Sequence, residues 1–195
     1  MKERATYFCI DIETSGPVPW LYDMLSLGAV VVRRAAGGGY ELGERFYIEL
    51  KPESEREDER TRAIHGLDVD RLRREGTPRV EAMARLAAWV TARTEPGTSP
   101  LFVGHNAPFD WSFVAFCFAV EGMPNPFGYK ALDTKALATG LLDLHFYDSN
   151  KEIIAARLAL PSEDMGQKHR ADYDAEYQAL ILEALLEYQE GQRRP

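Results

Sequence analysis

Thr6-Tyr7-Phe8-Cys9-Ile10-Asp11-Ile12-Glu13 is a short apolar run that ends in two acids. Tyr, Phe, Cys and Ile in succession favour a strand with a buried face. Side chains two apart on a strand share a face. Asp11 and Glu13 therefore meet one site, while Ile10 and Ile12 face the other way. An apolar strand seldom ends in paired carboxylates unless something offsets their desolvation. Alone the motif is weak, because the chain is acidic and repeats Asp-x-Glu at Asp174-Ala175-Glu176.

The flanking segments extend this strand into a sheet. Residues 25–34 contain Leu27-Gly28-Ala29-Val30-Val31-Val32, Gly37-Gly38-Gly39 makes a turn, and residues 40–50 return with alternation at Phe46, Ile48 and Leu50. A Gly-rich link between two such runs predicts a hairpin, hence an antiparallel meander. Residues 51–75 carry six arginines against eight acids and read as a solvated connection around the apolar insert Ala63-Ile64-His65-Gly66-Leu67. Thr77-Pro78 opens a helix with Thr as cap, followed by Val80, Met83, Ala84, Ala87, Ala88 and Val90 at helical spacing. Leu101-Phe102-Val103 is a short strand, residues 110–121 are a core helix, and residues 130–133 are a fifth strand. Helices are expected at residues 134–142, 149–160 and 170–190. The pattern predicts an α/β fold: a mixed five-stranded sheet, an antiparallel meander plus parallel strands, flanked by helices.

At 195 residues the chain suits one domain, residues 1–195. Its 45% hydrophobic and 28% charged residues exclude disordered and collagen-like classes. No apolar stretch approaches the ~20 residues of a membrane helix. Met1-Lys2-Glu3-Arg4 leads into the acidic first strand without a leader's apolar segment, so a cytoplasmic location is expected. Cys9 and Cys117 sit in apolar runs without zinc-ligand company and read as buried free thiols. A net charge of -8 counts against tight duplex binding. It counts less against an enzyme that grips a few nucleotides, since a cation-binding site must itself be acidic.

Two further acidic features follow. His105-Asn106-Ala107-Pro108-Phe109-Asp110 links a buried strand to an apolar helix. Asp110 alone reads equally as a carboxylate at a helix start, where the dipole favours it. His169-Arg170-Ala171-Asp172-Tyr173-Asp174 enters the last helix. Positions five apart on a helix diverge by about 140°, so His169 belongs on the preceding loop, swung over the site of Asp174. In isolation this pair reads as well as a solvated helix start. Together, Asp11, Glu13, Asp110 and Asp174 can converge. Two like charges 4 Å apart repel by about 4 kcal/mol at an effective dielectric of 20. Such a cluster needs cations, and oxygen-only ligands select hard ions, Mg²⁺ or Mn²⁺. Two such ions stabilise the attacking and leaving oxygens of a phosphoryl displacement.

Asp-x-Glu on the first strand, Asn-x-x-Phe-Asp at mid-chain and His-x-Ala-x-x-Asp near the end resemble the DEDDh family of 3′→5′ exonucleases, on a ribonuclease H-like fold. Within it the chain is most similar to the ribonuclease T group, from His105-Asn106-Ala107 through Asn125-Pro126-Phe127 to Asp133-Thr134 and Ala136-Leu137-Ala138. Ile64-His65-Gly66 resembles a substrate-contacting segment of the DNA polymerase III epsilon proofreading group. The resemblance implies that Asp11, Glu13, Asp110 and Asp174 hold two Mg²⁺ or Mn²⁺ and that His169 is the general base. It implies that backbone near Glu13 and Thr14 grips the terminal nucleotide. Asn106 and Phe109 shape the pocket, and Ile64 and His65 wedge against the end bases. The implied substrate is a single-stranded RNA or DNA 3′ end, released as nucleoside 5′-monophosphates.

Departures accompany the match. Pro17-Val18 and Ile64 stand where ribonuclease T carries phenylalanines, so base preference does not transfer. Trp20, Tyr22, Phe127 and Tyr129 are alternative stacking residues, each also readable as an ordinary core or surface aromatic. His145 reads as structural. Rival readings are a non-catalytic module that binds nucleic acid or partners, a proofreading subunit of a polymerase, and a glycosidase using Asp11 and Glu13. The last usually needs a barrel of about 250 residues. A homodimer lending Arg71, Arg73 and Arg74 fits the acidic balance.

Overall fold

The computed structural model describes residues 4–192; Met1-Lys2-Glu3, read above for a leader, lies outside the described residues, as do residues 193–195. Five strands form one mixed sheet: β1 (Ala5–Thr14), β2 (Met24–Arg34), β3 (Tyr40–Glu49), β4 (Ser99–Gly104) and β5 (Ala131–Asp133), in the order β3-β2-β1-β4-β5. β1 to β3 are the antiparallel meander, and β1, β4 and β5 run parallel.

Period two sorts the residues of β1 onto two faces. Phe8, Ile10 and Ile12 pack against Ala82, Met83, Leu86 and Val90 of α3 (Arg79–Arg93) and against Phe113, Val114, Cys117 and Phe118 of α4 (Pro108–Val120). Cys9 faces the other way, with Val30, Val32 and Val103, toward Ala175, Ala179, Leu182 and Leu186 of α7 (Ala171–Gln192). Asp11 and Glu13 continue the Cys9 row to the end of the strand. α5 (Thr134–Leu142) and α6 (Lys151–Arg157) form a satellite core with α7 through Ala138, Leu142, Ile154, Tyr177, Ile181 and Leu185. Both cysteines are buried and free. Among the described residues no helix is long and apolar enough to cross a membrane.

Four local expectations are corrected. Residues 51–75 are not simply a solvated connection: α1 (Glu59–His65) and α2 (Val69–Glu75) form there, capped by the Asp58 and Asp68 side chains. These two-turn helices bury little beyond His65, Val69 and Leu72, too few positions to show a period. α3 begins one step later than expected. Thr77 is extended and pairs with the end of β3, its N–H donating to Glu49 O at 3.0 Å, so it cannot cap. The buried stripe of α3 leaves Val80, Ala84 and Ala88 exposed. α4 starts at Pro108, which the missing proline N–H favours at a first helical position. The segment 149–160 is shorter as a helix, preceded by a 3₁₀ turn, Phe146–Asp148, that His145 caps by accepting from Tyr147 N.

One glycine sets the spacing between sheet and last helix. Gly28 pairs with Asp11 in the β1–β2 register, and a Cβ added to it would lie 2.1 Å from the Ala171 carbonyl oxygen at the start of α7. Backbone cannot yield like a flexible side chain. Gly28→Ala is expected to cost about 1–3 kcal/mol, as overpacking does, and to lower hydrolysis by displacing the start of α7. Urea melts together with an oligonucleotide assay check both effects; an unchanged midpoint refutes the close fit.

Candidate active site

The site forms where β1 and β4 end and α7 begins. The β1–β2 register shifts between Glu13 and Thr14, so the ladder breaks just after the second acid. The chain then turns away, with Thr14 Oγ1 donating to Gly16 O at 2.9 Å and Ser15 N donating to Asp23 O at 2.9 Å. Beyond β4, Asn106 takes a left-handed φ of 65°, its N–H donating to Asp133 Oδ1 at 3.1 Å. Asn106 O accepts from Phe109 N, which opens α4 and carries Asp110 inward in its first turn. Asp110 Oδ1 accepts from Ile12 N at 3.2 Å, between the two β1 acids. His169 lies on the loop before α7 with φ 66°, and its N–H donates to Asp174 Oδ2 at 2.7 Å.

Asp11, Glu13, Asp110, Asp174 and His169 line one cleft of about 400 Å³, together with Asn106 and Phe109. One ligand-capable atom from each of Glu13, His169 and Asp174 lies within 4.8 Å of the others. Burial, with the Asp174 and Glu163 charges added, pushes Asp11 up to about 7 despite the opposing pull of Lys151. Burial and the charges of Asp11, Asp174 and Asp110 push Glu13 up to about 9. Asp110 is raised well above the carboxylate range by burial and then by Asp11. The groups thus repel one another in a poorly solvated cleft. Four carboxylates with that excess charge, and one histidine beside them, fit hard divalent cations.

Thr14, Ile64 and His65 do not line this cleft. Thr14 is buried behind the β1 exit. α1, which carries Ile64 and His65, is tied to that exit by Asp58 N donating to Ser15 O at 2.8 Å. Ile64 is exposed, whereas His65 is buried, its Nδ1 accepting from Leu67 N.

The 3'-5' exoribonuclease Rv2179c-like domain matches residues 6–186. The chain belongs to this exoribonuclease domain family. The 3'-5' DNA exonuclease Cap18 of Escherichia coli is 34% identical over 180 residues, 92% of this chain and 91% of that one. Ribonuclease T of Marinobacter nauticus is 28% identical over 172 residues, 86% of this chain and 76% of that one. The nuclease domain of 3'hExo, a DEDDh family member solved with rAMP, shares the fold at a TM-score of 0.75 and 14% identity, covering 96% of this chain and 92% of that one. The chain is a 3′→5′ exonuclease, and its fold is the ribonuclease H-like fold of DEDDh exonucleases.

Three polar residues of this exonuclease have roles that its sequence did not assign. Lys151 reaches Asp174 Oδ1 at 3.1 Å and Asp11 Oδ1 at 3.7 Å. Gln178 is fully buried beneath the cleft, its amide donating to Val103 O at 2.8 Å and its carbonyl accepting from His105 N at 3.0 Å. It clamps the end of β4 to α7. His105 is held neutral: burial, then the Lys151 and Lys135 charges, push it down to about 3. Thr134 Oγ1 donates to Gly104 O, so its contact of 3.0 Å with His105 Nδ1 makes that nitrogen the donor.

The aromatic candidates divide. Phe127 is a core residue, edge-on to Phe8 and Phe102 at 5.7 and 5.6 Å, and is not available for stacking. Tyr129 is exposed near Ala5 and Ser99, at the opposite end of the parallel strands from the cleft. Tyr22 packs against Gly16, where a Cβ would lie 2.3 Å from its ring. Trp20 alone of the four stands exposed on the loop that leaves β1, with φ 75°. Arg71 and Arg73, two of the three arginines expected to serve a partner, pair with Glu49 and Glu57 within the chain.

Proposed function

We propose that the chain acts as a single exonuclease domain that removes nucleoside 5′-monophosphates from single-stranded 3′ ends. Asp11, Glu13, Asp110 and Asp174 would hold two Mg²⁺ or Mn²⁺ ions, and His169 would be the general base. The observation that carries this reading is the meeting of those five side chains at one cleft from three distant stretches of chain. When bound, the ions supply positive charge to the attacking and leaving oxygens of the displacement.

The protein's own groups supply the rest. His169 is exposed at the cleft, with its backbone fixed by Asp174, and its ring takes the proton of the attacking water. Asn106 and Phe109 shape the floor on which the terminal nucleotide rests. The backbone at Glu13, which lines the cleft, would grip that nucleotide, and of the α1 pair only the exposed Ile64 could approach it from the side, His65 being buried. Trp20 offers a stacking face, worth ~1–3 kcal/mol per base and tolerant of sequence. The relatives' names include both an exoribonuclease domain and a DNA exonuclease. The test therefore digests paired RNA and DNA single strands with Mg²⁺ or Mn²⁺ and sizes the products. Stepwise shortening from the 3′ end is expected; no shortening and no uptake of either ion overturns the reading.

His169→Ala is expected to lower turnover by about 10²–10⁴, the usual contribution of a general base, with Mn²⁺ uptake retained by calorimetry. Loss of both would make His169 a ligand, for which its nearness to Glu13 and Asp174 also qualifies it.

A further inference from the structure

Lys151 is a poor local choice. It is the first residue of α6, where the exposed N–H groups and the helix dipole favour anions. Asn150 already caps that end, its side chain accepting from Ile153 N at 2.9 Å, and Glu152 is the acid such a turn prefers. Residues that break a local rule without local gain mark functional places.

The placement of the ammonium supplies the reason. The Lys151 side chain is 15% exposed and its Nζ lies against both Asp174 and Asp11. The other lysines lining the cleft are engaged elsewhere. Lys168 pairs with Glu152 at 2.8 Å and with the buried Glu163 at 3.2 Å, and Lys135 sits over the Phe146 ring. α6 is anchored through Ile154 and Ala155 in the satellite core, so the stem of Lys151 rises from a fixed base.

Four carboxylates carry four negative charges, and two divalent ions cancel them. Lys151 then adds a positive charge that the four carboxylates no longer cancel, opposite in sign to a phosphodiester. We infer that Lys151 is a resident cation of the catalytic centre: it spans Asp11 and Asp174 before the divalent ions bind, and it gives the loaded site its surplus charge for a phosphodiester or a 5′-monophosphate. Lys151 is thus a positioning residue, acting through the carboxylates it contacts. This inference rests on the two-ion reading above.

Calorimetry of Lys151→Gln and Lys151→Arg tests it, first with Mn²⁺ alone, then with AMP and dAMP added to the Mn²⁺-saturated protein. Removing a cation from the ligands is expected to tighten Mn²⁺ binding of Lys151→Gln by about tenfold and to weaken monophosphate binding by about tenfold, while Lys151→Arg stays within about threefold of wild type in both. Lys151→Met provides the same readouts should the Gln variant melt early. If the neutral variants bind Mn²⁺ or monophosphate as wild type does, Lys151 is a structural residue and the inference fails alone. A wild type that takes up no Mn²⁺ overturns the two-ion reading and the inference with it.

Discussion

Asp11→Asn is expected to abolish hydrolysis and, at pH 8, to make the metal-free protein more stable. Loss of one proposed ion ligand would remove several kcal/mol of charge stabilisation from the displacement, about 10³-fold or more in rate. The stability effect has the opposite sign because Asp11 is ionised at pH 8 against its surroundings. Burial first, then Asp174 and Glu163, push it up to about 7, and the nearby Lys151 offsets only part of this. Asparagine keeps the shape and removes the charge, for a gain of about 1–3 kcal/mol. At pH 5 Asp11 is protonated in the folded chain but ionised in the unfolded one, so the gain is smaller there, and it disappears only below about pH 4. Urea melts of both proteins at the two pH values, beside an oligonucleotide assay, check this. A variant less stable than wild type at pH 8 would mean that the Asp11–Lys151 contact outweighs the repulsion.

The second large effect is a pH-dependent requirement for divalent ions. Asp11 and Glu13 are raised from ordinary values of 3.8 and 4.5 to about 7 and about 9 in the folded chain. A carboxyl raised on folding makes the folded state bind more protons than the unfolded one. Its contribution is complete below the unfolded value and is lost as pH rises through the folded value. The metal-free protein should therefore lose stability steadily between about pH 4 and pH 9. Mn²⁺ or Mg²⁺ should reverse the loss most strongly at the alkaline end, where the carboxylates are free to bind. At a hundredfold excess over Kd the ions add about 2.7 kcal/mol, or about 5–11 °C in Tm for a chain of this size. Thermal melts across pH with chelator and with added ion measure it. Equal gains at pH 5 and pH 8 would show that these carboxylates are not the ligands.

The fold was legible because β1 and β2 are apolar runs rich in β-branched and aromatic residues, β3 alternates at Phe46 and Ile48, and a glycine triplet separates β2 from β3. The short helices α1 and α2 were not. Seven residues with one or two buried positions carry no period, and their dense charges imitate a solvated linker. The carboxylates and His169 were legible through their order along the chain, each weak alone. Lys151 was hidden because a lone lysine beside a glutamate looks like surface. Gln178 was hidden because a glutamine on a long helix resembles a solvent-facing residue until the strand ends it bridges are in place. Phe127 stayed open between a stacking residue and a core aromatic until the two phenylalanines that enclose it were in place. Burial of that kind depends on residues distant in sequence, which no local pattern encodes.

Position 28 contributes no functional group to the chemistry, yet it regulates the gauge of the reaction chamber. With only a hydrogen on that strand, the first peptide of the last helix comes to rest where a methyl carbon would stand 2.1 Å from its oxygen, against 3.4 Å or more for ordinary contact. One jaw of the chamber hangs from that helix and the other from the strand beside the glycine. A methyl there would press on the helix start and shift Asp174 and His169 relative to Asp11 and Glu13, two of the groups proposed to hold the ions. The spacing between the acids of the strand and those of the last helix is thereby set by an absent atom in the neighbouring strand.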